Sequence, residues 1–247
     1  MNCGKRQMQE RFIGIDGCRE GWFYVSLDRD RHYGFGMLSS IFEIEEIADE
    51  KSRILIDIPI GLREKESEER LCDKAARKVL GKKSSTIFPA PSRLSLDEND
   101  YAAASLANQN HTGRKLSKQS FYIMSKIREV DDFVRHSQSG IHFHEYHPEL
   151  GFLALNRFKP LAFSKKKEAG QRERLEILAP CLASAGDLFE KAAESFLRRQ
   201  VALDDILDAI SGAVSATMYD QWCFLPAHPE MDSRGIPMKI VYPCGDR

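Results

Sequence analysis

Gly17 and Gly21 stand four residues apart between two apolar runs, Phe12 to Ile15 and Trp22 to Leu27, and only a tight turn fits between them. The polar triplet Asp28-Arg29-Asp30 then separates the second run from a third at about 31–38. Links this short join antiparallel neighbours, because a parallel return needs a crossover of a dozen or more residues. The chain therefore begins as a three-stranded meander over 11–16, 21–27 and about 31–38. Ile41, Ile44 and Ile47 suggest a short helix after Ser40. "RILIDIPIGL", Arg53 to Leu62, follows. Ile54, Ile56 and Ile58 alternate on one face with Asp57 on the other, and Pro59 and Gly61 close the run. Its β-branched content and the helix before it predict a central strand parallel to the first.

Residues 63–140 read as helical. Glu68 to Leu80 forms one helix stopped by Gly81, Ser84 to Arg93 is a loop punctuated by Pro89 and Pro91, and Ser117 to Arg135 forms a second long helix. The block exceeds a simple crossover and reads as a helical insertion between strands four and five. "GIHFHEYHPEL", Gly140 to Leu150, returns to a strand and breaks at Pro148, a suitable first residue for a helix through Leu155. Helices follow near 170–179 and 187–198 and over Leu203 to Trp222, and Met238 to Tyr242 reads as a late edge strand. No repeat or linker interrupts the 247 residues, which fit a single domain over 1–247.

This order brings carboxylates together. Asp16 ends strand one and Asp57 lies near the end of strand four, so parallel neighbours carry both to one sheet edge. Glu145 and His147 share a face by the two-residue period, and Glu149 follows in the first helical turn. Asp205 and Asp208, three apart, share one face of the last helix, whose Ala209, Gly212, Ala213 and Ala216 give it a thin side. Such clustering is costly by like-charge repulsion. Mg²⁺ or Mn²⁺, which favour carboxylate and water oxygens, relieve that cost. Two such ions about 4 Å apart activate water and stabilise the leaving oxygen in phosphodiester hydrolysis.

Structural readings stand beside these. Asp16 suits an Asx turn with Gly17 and Cys18, Asp57 an ion pair with an arginine, and Asp204 or Asp205 a helix N-cap. Asp208 is a turn too deep to cap. Glu145 and Glu149 compete for a fifth acidic role, with Glu149 favoured because a helix N-terminus would orient it. His142 and His144 share a strand face while His147 falls on the other, which makes zinc chelation awkward and leaves His147 as an orienter or core hydrogen-bonder. Cys18 has no activating base in view.

The stretches "GIDGCREGW", "IDIPIGL", "RLCDKAARKVLGKKSSTIFPAPSR", "SKIREVD", "EYHPEL" and "DDILDAISGA" run in order from residue 14 to residue 213. Together they resemble a ribonuclease H-like family catalogued as a domain of unknown function and predicted to be nucleases. "DDILDA" is also similar to the last-helix motif of bacterial Holliday-junction resolvases. The resemblance implies an α/β, ribonuclease H-like mixed sheet, with a final helix bearing acidic metal ligands. It implies that Ser85 and Arg93, flanking the proline loop, and Lys126 and Arg128, on the long helix, face the site and grip phosphate. Ordinary loop rigidity, or a pair between Arg128 and Asp132, is the structural reading of these.

Charge narrows the partners. Lys and Arg total 36 against 37 Asp and Glu, a formal net charge of −1, and a constitutively tight nucleic-acid binder would be more basic. A transient nucleic-acid partner fits, gripped by local basic clusters at Lys82-Lys83, Arg114-Lys115 with Lys118, and Lys165-Lys166-Lys167, if these are more than solvated surface. The six cysteines form no CxxC pair. The N-terminal residues lack a signal-peptide core, and no apolar run approaches the ~18 residues of a membrane span. These features suggest a reduced cytoplasmic setting without membrane association, and leave the oligomeric state open. The expectation is metal-dependent hydrolysis of nucleic acid, with Asp16, Asp57, Asp205 and Asp208 as ligands. The alternatives are a nucleotide-binding or phosphotransfer protein of the actin and sugar-kinase type, of which no second copy of "GIDG" appears, and a non-catalytic binding module.

Overall fold

A computed structural model describes residues 10–244. The N-terminal meander forms as β1 (Phe12–Cys18), β2 (Gly21–Leu27) and β3 (Tyr33–Leu38). With β4 (Arg53–Ile56) and β5 (Phe143–Glu145) it makes a five-stranded mixed sheet of order β3-β2-β1-β4-β5. β1 pairs antiparallel with β2 and parallel with β4, and β5 continues the parallel half. The protein is thus α/β with a mixed sheet.

Between β4 and β5 run α1 (Leu71–Leu80), α2 (Tyr101–Thr112), α3 (Lys118–Tyr122) and α4 (Met124–His136). After β5 come α5 (Pro148–Leu155), α6 (Glu168–Leu178), α7 (Ala185–Ser195) and α8 (Leu203–Ala216). Alternation along the strands sorts these into two layers. Ile13, Ile15, Ile54 and Ile56 bury against Ile127, Val130 and Phe133 of α4 on one face. Phe12, Leu55, Phe23 and Val25 bury against Ile206, Ile210 and Ala213 of α8 on the other. Asp16 and Asp57 have the parity of the second set, so the strand period turns both toward the α8 layer.

The thin side of α8 is used fully. A Cβ on Gly14 of β1 would lie 2.1 Å from the Ala209 carbonyl oxygen and 2.3 Å from the Ala213 nitrogen, and Gly212 meets Gly14 in return. Helix and strand thus touch backbone to backbone. Gly14→Ala should therefore destabilise the protein by about 1–3 kcal/mol, the usual cost of overpacking, and thermal melts will measure it. Unchanged stability would mean that α8 can back away from β1.

Several boundaries differ from the sequence reading. The long helix over 117–135 is two helices meeting at Ile123. The fourth strand ends at Ile56: the Asp57 N–H still donates to Ile15 of β1, but the Ile58 N–H turns back to the Ile56 carbonyl ahead of Pro59. The last helix stops at Ala216 rather than Trp222. Trp222 opens β6 (Trp222–Met231), which pairs antiparallel with β7 (Pro237–Pro243) as a separate two-stranded sheet. The late strand is therefore half of a hairpin, not an edge of the main sheet, and one parallel bridge from Tyr146 to Val241 attaches it. Cys223 and Cys244 are joined as a disulfide across this hairpin, which differs from the fully reduced set expected. Among the described residues, no helix is long and apolar enough to cross a membrane.

Candidate functional site

The C-terminal tips of β1 and β4 open onto a cavity of about 630 Å³. Asp16 and Asp57 line it, and the Asp57 backbone N–H donates to the Ile15 carbonyl at 3.0 Å, which fixes the two residues side by side. Asp208, one turn inside α8, is not in the lining but acts electrostatically on both. Asp16 is 7% exposed and Asp208 3%. Burial raises the Asp16 carboxyl well above the ordinary aspartate range, and the charges of Asp57, Asp205 and Asp208 push it further. Burial and then Asp208 push Asp57 up to about 8. Burial also raises Asp208, against the pull of Lys165. Burial thus makes each carboxylate costly to ionise, and for Asp16 and Asp57 the neighbouring acids add to that cost.

The structural readings of Asp16 and Asp57 gain no support. Among the described residues the Asp16 carboxylate makes no Asx bond to Gly17 or Cys18, and no arginine is a main influence on Asp57. Asp205 is different. Its Oδ2 accepts the Ala202 N–H at 2.9 Å, so it closes the N-terminus of α8. It still acts electrostatically on Asp16 and Asp57, and burial lifts it to about 6. Asp205 is a cap first, with one carboxylate oxygen left over.

A cation that the sequence reading placed only in a basic surface cluster stands among these acids. Lys165 Nζ donates to Asp208 Oδ2 at 2.5 Å and lies 3.7 Å from Asp204, and it acts electrostatically on Asp16 and Asp57. Burial alone would lower its pKa, yet Asp208 and Asp16 drive it above the usual lysine value. The run Lys165-Lys166-Lys167 reads as solvated surface in one dimension, and only the fold turns its first member inward.

Neither candidate for the fifth acid is free. Glu145 lines the cavity, but its two oxygens accept from Arg70 at 2.8 Å each and one also takes the Ile60 N–H at 2.7 Å. Its strand parity is that of Phe143, which packs on the face away from α8. Glu149 accepts from Lys83 at 2.7 Å and Arg174 at 2.5 Å. Burial would raise its pKa, but these cations hold it below the ordinary value. Arg70 also binds Asp73. The Cys72, Asp73 and Glu145 ligand atoms converge within 4.8 Å, but the Arg70 guanidinium is already paired with both carboxylates.

The remaining predicted residues divide. Ser85 and Lys126 line the cavity. Lys126 lies 4.5 Å over the Trp22 ring and donates to the Gly21 carbonyl at 2.5 Å, so its head is held at the first turn. His147 also lines it, with Nε2 3.4 Å from the Thr86 carbonyl, and burial lowers its pKa to about 4, which keeps it neutral. Arg93 does not reach the cavity lining. It is buried against Asp131 at 2.9 Å and Asp232 at 2.5 Å, a structural clamp between α4 and the β6–β7 hairpin. Arg128 is likewise absent from the lining, and neither its predicted phosphate role nor a pair with Asp132 is seen. Cys18 has its thiol pKa raised, chiefly by burial, which disfavours a nucleophilic thiolate.

Chemically, one wall is a set of hard oxygen donors around an ammonium, the donor type that Mg²⁺ and Mn²⁺ prefer. The wall beside it carries hydroxyl, amine and aromatic groups. No curated protein and no solved structure gave a match to the chain. A family model described as "Protein of unknown function (DUF429)" matches residues 14–231, a span holding Asp16, Asp57, Lys165 and Asp208, and the chain belongs to that family.

Proposed function

We propose that the protein is a divalent-metal-dependent hydrolase of nucleic-acid phosphodiester bonds, built on a ribonuclease H-like sheet. The observation that carries this reading is the placing of Asp16 from β1 and Asp57 from the end of β4 on one cavity wall, with Asp208 of α8 acting electrostatically on both and bound to the Lys165 ammonium, which lines the same cavity. A meander continued by two parallel strands, with an acidic helix across their tips, supports the sheet type.

The donor set fits a hard divalent cation. All three carboxylates resist ionisation without a positive charge, and the structure already gathers one cation, Lys165, at Asp208. Asp16, Asp57 and Asp208 would hold Mg²⁺ or Mn²⁺, with the spare oxygen of Asp205 beside them; two such ions are proposed. When bound, such ions supply an activated water and charge neutralisation at phosphate. Ser85 offers a hydroxyl and Lys126 an amine from the adjoining wall, both suited to orienting a phosphate. Nucleic acid is engaged transiently, since net charge gives little general attraction.

Single-stranded, duplex, hybrid and branched substrates incubated with Mg²⁺ or Mn²⁺ test this. Cleavage of at least one class is expected, lost on chelation and reduced at least about 100-fold by Asp57→Asn, a loss at the upper end of that for outer-shell partners of a metal. Absence of cleavage on every substrate, with clear ATP turnover instead, would move the assignment to phosphotransfer.

A further inference from the structure

The acidic wall accounts for only part of the cavity. Its other side is apolar and aromatic, formed by Ile87, Phe88, Ile123 and Tyr122. Tyr122 is the most exposed of the large hydrophobic side chains in the described residues, at 74%. It ends α3, whose neighbouring Phe121 is anchored edge-on against Tyr101 with ring centroids 5.6 Å apart. The backbone under Tyr122 is therefore held while its ring, beside that of Phe121 at 6.1 Å, stays mostly exposed. Arg19 and Lys166 stand at the same cavity, exposed, and make no ion pair within 4.0 Å among the described residues.

An exposed aromatic ring, unpaired cations and an acidic wall match the parts of one nucleotide unit: a base face, a phosphate and a scissile linkage. Base faces are covered by stacking inside a duplex and free only where a strand is unpaired. A concavity of about 630 Å³ is also of small-ligand size. We infer that the substrate is single-stranded nucleic acid, such as a free end or flap, whose terminal base stacks on Tyr122 while Arg19 and Lys166 take the adjoining phosphates. This rests on the nuclease reading above.

The test is fluorescence anisotropy with a labelled mixed-sequence single strand, the blunt duplex of the same sequence, and that duplex with an overhang, in chelator so that nothing is cut. The single strand and the overhang should bind more tightly than the blunt duplex. Tyr122→Ala should weaken them about 5- to 100-fold, as loss of one base stack does, and leave duplex binding unchanged, with Tyr122→Trp restoring them. Equal affinity for blunt duplex and single strand would overturn the inference, as would single-strand binding indifferent to Tyr122→Ala. Metal-dependent cleavage of blunt duplex, unaffected by Tyr122→Ala, would overturn it while leaving the nuclease reading intact. Failure of every nucleic acid to bind, with or without added Mn²⁺, would overturn both.

Discussion

Arg70→Met should unfold the protein at a temperature lower by roughly 6–20 °C. Arg70 is buried with Asp73 and Glu145, and its guanidinium also donates to the Ile60 and Gly61 carbonyls at 3.2 Å. Methionine fills similar space and strands two buried carboxylates. Breaking a buried pair from one side costs about 3–5 kcal/mol, and a chain of this size loses about 2–4 °C per kcal/mol. The triple variant Arg70→Met, Asp73→Asn, Glu145→Gln removes the stranded charges and should recover part of the loss. Differential scanning calorimetry reads both. A single variant that melts like the parent, or a triple variant no better than the single, would show that Glu145 is not held by charge.

Lys165→Met should destabilise the chelated protein by about 2–4 kcal/mol at neutral pH. The range sits below that for a fully buried pair because the Lys165 side chain is 32% exposed, although Asp208 beneath it is 1%. Mn²⁺ should then rescue the variant more than the parent, since an ion at a hundred times its dissociation constant returns about 2.7 kcal/mol. In the parent the ion must first compete with the ammonium. Melts of both proteins in chelator and in a Mn²⁺ series decide it. Loss of stability with no ion rescue would make Lys165 a structural partner of Asp208 alone. Indifference in both buffers would dismiss the charge argument for this wall.

The positions of Asp16, Asp57 and Asp208 were legible because they follow from two periods and one topological inference. Short links forced the meander, the apolar run at 53–62 forced a parallel neighbour, and small residues at 209, 212, 213 and 216 marked the helix face that could approach. Lys165 was not legible, since nothing in a triple-lysine run says which member turns inward. The pairing of Glu145 and Glu149 was hidden for the same reason: Arg70, Lys83 and Arg174 are 75, 66 and 25 residues away from their partners. Arg93 was misplaced because a conspicuous loop arginine looks the same whether it meets phosphate or Asp131 and Asp232. α2 was overlooked although Asp100 caps its start and Gly113 its end, because its alanine-rich sequence shows no apolar stripe. β6 was missed, with only Trp222 of it inside the expected helix, because Pro226 and Pro229 mask strand character.

The backbone contact between Gly14 and Gly212 also limits how this molecule can move. Sliding of one packed element past another needs side chains that can exchange grooves, and here no side chains intervene. Asp16, two residues beyond Gly14, and Asp208, one turn before Gly212, therefore share a single rigid frame. Adjustment to a substrate therefore falls to side chains that do not share this contact, such as the exposed Tyr122 ring and Lys166. The donors are a fixed gauge, and the side chains facing them are the part that adapts.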